Sequence, residues 1–142
     1  MMDSIVWWDC YKALEKHIGR VEGTCRIALY YIMDLVARKY GGLLRKYHEA
    51  RLPRWLGFMD RSGALKINCG DKSLCYAPEL CLRAYLLCRR GWMRKELEGI
   101  VIHAGPAFAD VARLMLGEGG FPRWCGSLPS ECSGVLKRLG LA

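Results

Sequence analysis

Eight cysteines fall in this 142-residue chain, at Cys10, Cys25, Cys69, Cys75, Cys81, Cys88, Cys125 and Cys132. A load this dense and even in number points to a disulfide framework built in an oxidising compartment. The opening residues, Met1 to Asp9, carry no basic stretch ahead of an apolar run and do not read as an export signal. Three chemistries reconcile these facts: a bound metal, a redox centre, or the structural disulfides that intracellular proteins of hyperthermophiles retain.

Spacing separates the three. A zinc site wants a C-x2-4-C knuckle with a second pair beyond it. Here five, five and six residues separate Cys69, Cys75, Cys81 and Cys88, and six separate Cys125 from Cys132. None of His17, His48 or His103 completes a knuckle, and the spacing of iron–sulfur ligands is missing too. A thioredoxin-type centre needs C-x-x-C at a helix start, which is also absent. A metal or redox enzyme using Cys69, Cys75, Cys81 and Cys88 is therefore the weakest of the three readings, and no metal or cofactor is expected. Disulfides remain, with fewer than half of the thiols expected free.

Cys81 and Cys88 are seven apart on one predicted helix, about 10 Å along its axis, too far to bridge each other. Each needs a partner elsewhere, and Cys69 and Cys75 lie in or beside a loop free to reach that helix. One scheme ties Cys10 to Cys25 and Cys125 to Cys132. Eight cysteines allow 105 pairings, so connectivity stays open.

Glycine and proline divide the rest into helices. Asp3 or Ser4 caps a first helix that Gly19 ends, with Ile5, Trp8, Cys10, Leu14 and Ile18 roughly at helical spacing. Thr24 opens a second that runs to Tyr40, apolar on most sides and so central and buried. Leu43 to Arg51 is helical before Pro53. Residues 53–73 read as a loop, with Ala64 to Ile67 a brief extended piece. Helices follow over Pro78–Arg90, Trp92–His103 and Pro106–Leu116, with Gly91 a breaker between the first two. After a long loop to Pro129, a last short helix closes the chain by Leu139. Strand patterns are nearly absent. The expectation is an all-α protein of five or six helices, stabilised by disulfides, with residues 1–61 a basic N-terminal helical region, 62–72 a loop and 73–142 a C-terminal helical bundle. Its longest apolar stretch is far short of the roughly 20 residues that span a bilayer.

Charge is the second informative property. Twenty-two Lys and Arg against 14 Asp and Glu give +8, and arginine dominates. Its planar fork suits phosphate. Arg38, Lys39, Arg45, Lys46, Arg51, Arg54 and Arg61 crowd a segment holding only Glu49 and Asp60 as acids, and Arg89, Arg90 and Arg94 form a second cluster. On a helix from Arg38 to Arg51 the first cluster makes one basic side, fit to follow a phosphate backbone. A solvated surface is the plain alternative. No sequence-reading motif accompanies these cations, so backbone contacts are expected. Catalytic signatures are missing as well, and no enzymatic activity is expected. Asp34 stands alone in an apolar helix and is expected to pair with Arg38 one turn on.

Taken together, a small, basic, all-α chain with arginine-rich helices resembles the major capsid proteins of filamentous and rod-shaped DNA viruses of hyperthermophilic archaea. The resemblance rests on architecture and composition over the whole chain. It implies that residues up to about Arg61 form an arm, with Arg38, Lys39, Arg45, Lys46, Arg51 and Arg54 facing double-stranded DNA held in A-form. It implies a virion protein that assembles as a homo-oligomer or as a pseudo-symmetric heterodimer with a related subunit. A reading from another class is a small adaptor or regulatory protein in the cytoplasm of a hyperthermophilic archaeon, binding a protein partner through Trp7, Trp8 and Trp124.

Overall fold

A computed structural model describes residues 3–141 and shows an all-helical protein of seven α-helices, slightly more than expected. The first, α1 (Ser4–Ile18), is capped by Asp3, whose carboxylate accepts from the Ile5 backbone amide at 3.3 Å. Its buried stripe is Trp7, Cys10, Tyr11 and Leu14, at ideal three- and four-residue steps. Ile5, assigned to that stripe, is 62% exposed.

The central helix α2 (Gly23–Tyr40) starts one residue ahead of Thr24, and every residue from Ile27 to Asp34 is buried. It packs against α1 and against three later helices. Gly41 and Gly42 both take positive φ (81° and 53°), a conformation that favours glycine, and they turn the chain sharply into α3 (Gly42–Trp55). This break corrects the expectation of one helix from Arg38 to Arg51. Pro53 does not end α3 either: it sits in the last turn, where only one helical bond is forfeited, and it is buried beside Leu52.

From Leu56 to Asp71 the chain is irregular, as expected. The extended piece pairs back on Met59 through a single bridge at Leu65, held by Lys66 N–H to Phe58 O at 2.7 Å. A 3-10 turn over Lys72–Cys75 leads into α4 (Pro78–Cys88), which stops two residues earlier than expected because Arg89 is left-handed, φ 50°. Gly91 opens α5 (Gly91–His103) rather than breaking the chain. Then α6 (Pro106–Leu116) has the expected bounds. Two further 3-10 turns, Arg123–Cys125 and Ser130–Cys132, precede α7 (Ser133–Arg138).

One hydrophobic core runs through the molecule, from Trp7 in α1 to Leu136 in α7. It is continuous across segments 1–61 and 73–142: α2 packs on α4 and α6, and α1 packs on the last 3-10 turn and α7. Four cystines fasten it. Cys10–Cys132 and Cys25–Cys125 tie the first helix pair to the end of the chain, and Cys69–Cys88 and Cys75–Cys81 tie the irregular segment to α4. The last two match the expectation that Cys88 and Cys81 draw on that segment. Cys10–Cys25 and Cys125–Cys132 do not form. Cys10 lies eight residues before the end of α1, about 12 Å along its axis, whereas Cys25 sits at the start of α2 beside the connecting turn. The late loop runs alongside this hairpin, so Cys125 meets its foot and Cys132 its middle.

Candidate nucleic-acid interface

Nine of the ten cations assigned to phosphate contacts divide into three groups. Arg38 and Arg89 are partly buried and engaged with the fully buried Asp34. Both guanidinium groups bind Asp34 Oδ2, Arg38 through Nε at 2.9 Å. Arg89 also lies against the rings of Tyr31 and Tyr85, 5.2 and 5.0 Å from their centroids. Arg38 is thus paired as expected, while Arg89, its side chain 27% exposed, is a partner of the buried Asp34 rather than a free phosphate contact.

Arg45 and Arg94 form the second group, paired one turn on with Glu49 at 2.5 Å and Glu98 at 3.8 Å. Such exposed pairs contribute little and open readily. Lys39, Lys46, Arg54, Arg61 and Arg90 form the third: exposed, with no ion pair among the described residues. Arg51 stands between groups, its guanidinium 3.5 Å above the Tyr47 ring and donating to the Tyr47 carbonyl.

Geometry within α3 sorts these residues. Leu44, His48 and Leu52, at four-residue steps, are its buried face. Lys46, Ala50 and Arg54 follow the same step on the outer face, placing two cations about 12 Å apart in one row. Beside that row is a groove of about 460 Å³ lined by Glu15, Ala50, Arg51, Arg54 and Trp55. The Trp55 ring is fixed by stacking on Tyr30, 14° from parallel at 5.7 Å. Glu15 is partly occupied: Tyr47 donates to it at 3.0 Å and Lys12 at 3.3 Å. The Lys12 hydrogen bond with Tyr47, and then the Glu15 carboxylate, raise the lysine pKa and keep it cationic.

Comparison with known proteins finds no matching family model, curated protein or solved structure.

Beneath the groove lies a buried polar chain. The Tyr11 hydroxyl meets His48 Nδ1 at 2.7 Å, and His48 Nε2 donates to Asp34 Oδ1 at 2.9 Å. Burial, then the Glu15 charge, pushes the Tyr11 phenol far above its ordinary range, so its proton stays on oxygen. Burial alone opposes the Asp34 carboxylate, but the His48 hydrogen bond and the charges of Arg89, His48 and Arg38 prevail and hold its pKa below normal. Arg89 is likewise held charged: burial opposes it, and the Asp34 carboxylate more than offsets this. Tyr11, His48 and Asp34 are completely enclosed, so the chain of hydrogen bonds is a tie between α1, α3, α2 and the end of α4. Two signals in the sequence pointed to it: an acid inside an apolar helix, and a histidine between Leu44 and Leu52. Replacing Tyr11 by phenylalanine strands His48 Nδ1, and equilibrium denaturation is expected to show a loss of about 1–3 kcal/mol.

All eight cysteines are in cystines, so none is left as a thiolate to bind metal. Among the described residues no cluster of three or more His, Cys, Asp or Glu is placed to hold an ion, and no helix is long and apolar enough to cross a membrane. Trp7 is buried and stacked on Tyr40, and Trp8 packs edge-on against Tyr47. Trp124 is 51% exposed, its indole N–H on Asp110 at 2.8 Å.

Proposed function

We propose that this protein is a structural subunit that coats double-stranded DNA through sequence-independent phosphate contacts, as part of a viral capsid or nucleoprotein. The observation that carries the reading is the outer face of α3, where Lys46 and Arg54 stand in one row beside the groove of Arg51 and Trp55. Lys39, Arg61 and Arg90 add exposed positive charge, and Arg45 and Arg94 join by exchanging a surface carboxylate for phosphate. Arg38 and Arg89 are left out of the interface, since moving either would strip a buried carboxylate of one of its partners.

The four cystines support a particle protein of an oxidising, hot environment. The protein-partner reading is weakened by the burial of Trp7, which leaves Trp124 as its most exposed tryptophan. Binding to a random duplex at about 50 and about 300 mM salt is the test, because each neutralised phosphate adds roughly 0.9 to the slope of log affinity against log salt. Affinity is expected to fall steeply, and Lys46→Glu with Arg54→Glu to weaken binding at least tenfold and flatten the slope. Absence of binding at the lower salt removes the reading.

A further inference from the structure

The groove of about 460 Å³ beside α3 holds one group that a phosphate contact does not need, the carboxylate of Glu15. A bare anion is attracted there by Arg51 and Arg54 and repelled by Glu15, and a cationic side chain meets the reverse. Glu15 is not paired with either arginine: its ion pair is with Lys12, and its side chain is 27% exposed. The Tyr47 hydroxyl accepts from Lys12 at 2.9 Å and donates to Glu15 at 3.0 Å, which holds the carboxylate in place. An ionised carboxylate has about four acceptor positions. Lys12 and Tyr47 are its two donors, so acceptor capacity is left over.

The other walls are fixed as well. Arg51 rests 3.5 Å above the Tyr47 ring, and the plane of Trp55 is set by its stacking on Tyr30. Trp55 is only partly buried, and the surface that Tyr30 does not cover lines the groove. Two cations, a flat aromatic surface and a spare acceptor ask for a ligand with an anion, a planar ring and N–H donors on the ring edge. A nucleotide carries all three when its base is unpaired. In a duplex, pairing and stacking occupy the edge and faces of the base. Guanine presents adjacent N1–H and N2 amino donors, which one carboxylate accepts together. Adenine and cytosine set their amino group beside an acceptor nitrogen, and thymine sets one N–H between two carbonyls. The volume lies within the range of about 300–1,000 Å³ usual for small-molecule sites.

We infer that this groove binds an unpaired guanine nucleotide, with the ring on Trp55, its N1–H and amino group on Glu15, and its phosphate on Arg51 and Arg54. The inference deepens the DNA-coating reading and rests on it for the phosphate contacts alone. Along intact duplex the arginines meet backbone, and at a strand end or an unpaired position the groove takes the base as well.

The test titrates the full-length protein, freed of nucleic acid, with dGMP, dAMP, dCMP, dTMP and inorganic phosphate in a calorimeter. Binding of dGMP is expected to be about tenfold tighter than that of the other nucleotides, the discrimination of a bidentate edge contact. Inorganic phosphate is expected to bind more weakly than any of them. Glu15→Gln is expected to erase the preference for dGMP and to strengthen phosphate binding, and Arg54→Ala to weaken all four nucleotides alike. Equal affinities for the four nucleotides, affinity no better than that of phosphate, or a preference that survives Glu15→Gln overturns the inference. Circular dichroism checks that the variants fold, and the nucleotide series on the wild type decides the matter without them. Binding of dGMP without binding of random duplex removes the coat reading and keeps the nucleotide site. Duplex binding without dGMP binding does the opposite.

Discussion

Removal of Cys10–Cys132 and Cys25–Cys125 together, as the quadruple alanine variant, is expected to leave the chain largely unfolded at 25 °C. These cystines close spans of 122 and 100 residues, and one is nested inside the other. Nesting decides the size of the effect. While Cys25–Cys125 is intact, Cys10–Cys132 closes a loop of only the residues outside it, about 22, worth about 3 kcal/mol in unfolded-chain entropy. Once one is gone, the other closes a loop of roughly 100 residues and contributes about 4.7 kcal/mol. Either single pair removed therefore costs about 3 kcal/mol, and both together about 8. Typical domains have only about 5–15 kcal/mol to lose. Guanidinium unfolding under non-reducing conditions measures all three variants. A double loss that merely equals the sum of the two single losses would refute the nested-loop account. As an internal control, removing Cys75–Cys81, which spans six residues, is expected to cost only about 2 kcal/mol.

Asp34→Asn is expected to destabilise the fold by about 3–5 kcal/mol, the range for breaking a buried ion pair from one side. Three partners, Arg38, Arg89 and His48, lose the carboxylate at once, and Arg89 is left as a largely buried cation against two phenol rings. The same group sets the response to acid. Because the folded pKa of Asp34 lies below its ordinary value of 3.8, the unfolded chain takes up the proton first as pH falls. Its contribution is whole near neutrality, begins to shrink as pH drops through about 5, and is gone below the folded pKa. The wild type should therefore show an acid limb in a stability–pH profile that the Asn variant lacks in part. Parallel limbs in the two proteins would mean that Asp34 is not held ionised by its neighbours.

Helix identity was readable because it depends on neighbours in sequence. Proline at the start of α4 and α6, glycine after α1 and the unbroken apolar run of α2 act within one or two turns, and those elements appear nearly where periodicity put them. Local chemistry also misled. A charge pattern cannot reveal that Gly41 and Gly42 take positive φ, so the basic side drawn from Arg38 to Arg51 is broken between two helices. Arg89 looked like a surface cation at a helix end. Its left-handed backbone and the approach of α2 turn it inward to an acid 55 residues away.

The candidate interface was legible in the same proportion. Lys46 and Arg54 share a face because eight residues make a little more than two helical turns, which spacing alone predicts. The groove beside them needs Glu15 from α1 and the fixed ring of Trp55, and the meeting of two helices is not written in either. The cystines divide along the same line. That Cys81 and Cys88 cannot bridge each other follows from helical rise, and that Cys69 and Cys75 serve them follows from a short tether. That Cys10 meets Cys132 rather than Cys25 depends on where a distant loop crosses the α1–α2 hairpin. Short-range order is dictated by backbone sterics and side-chain period, whereas long-range partners are chosen by the single packing that buries every apolar face at once.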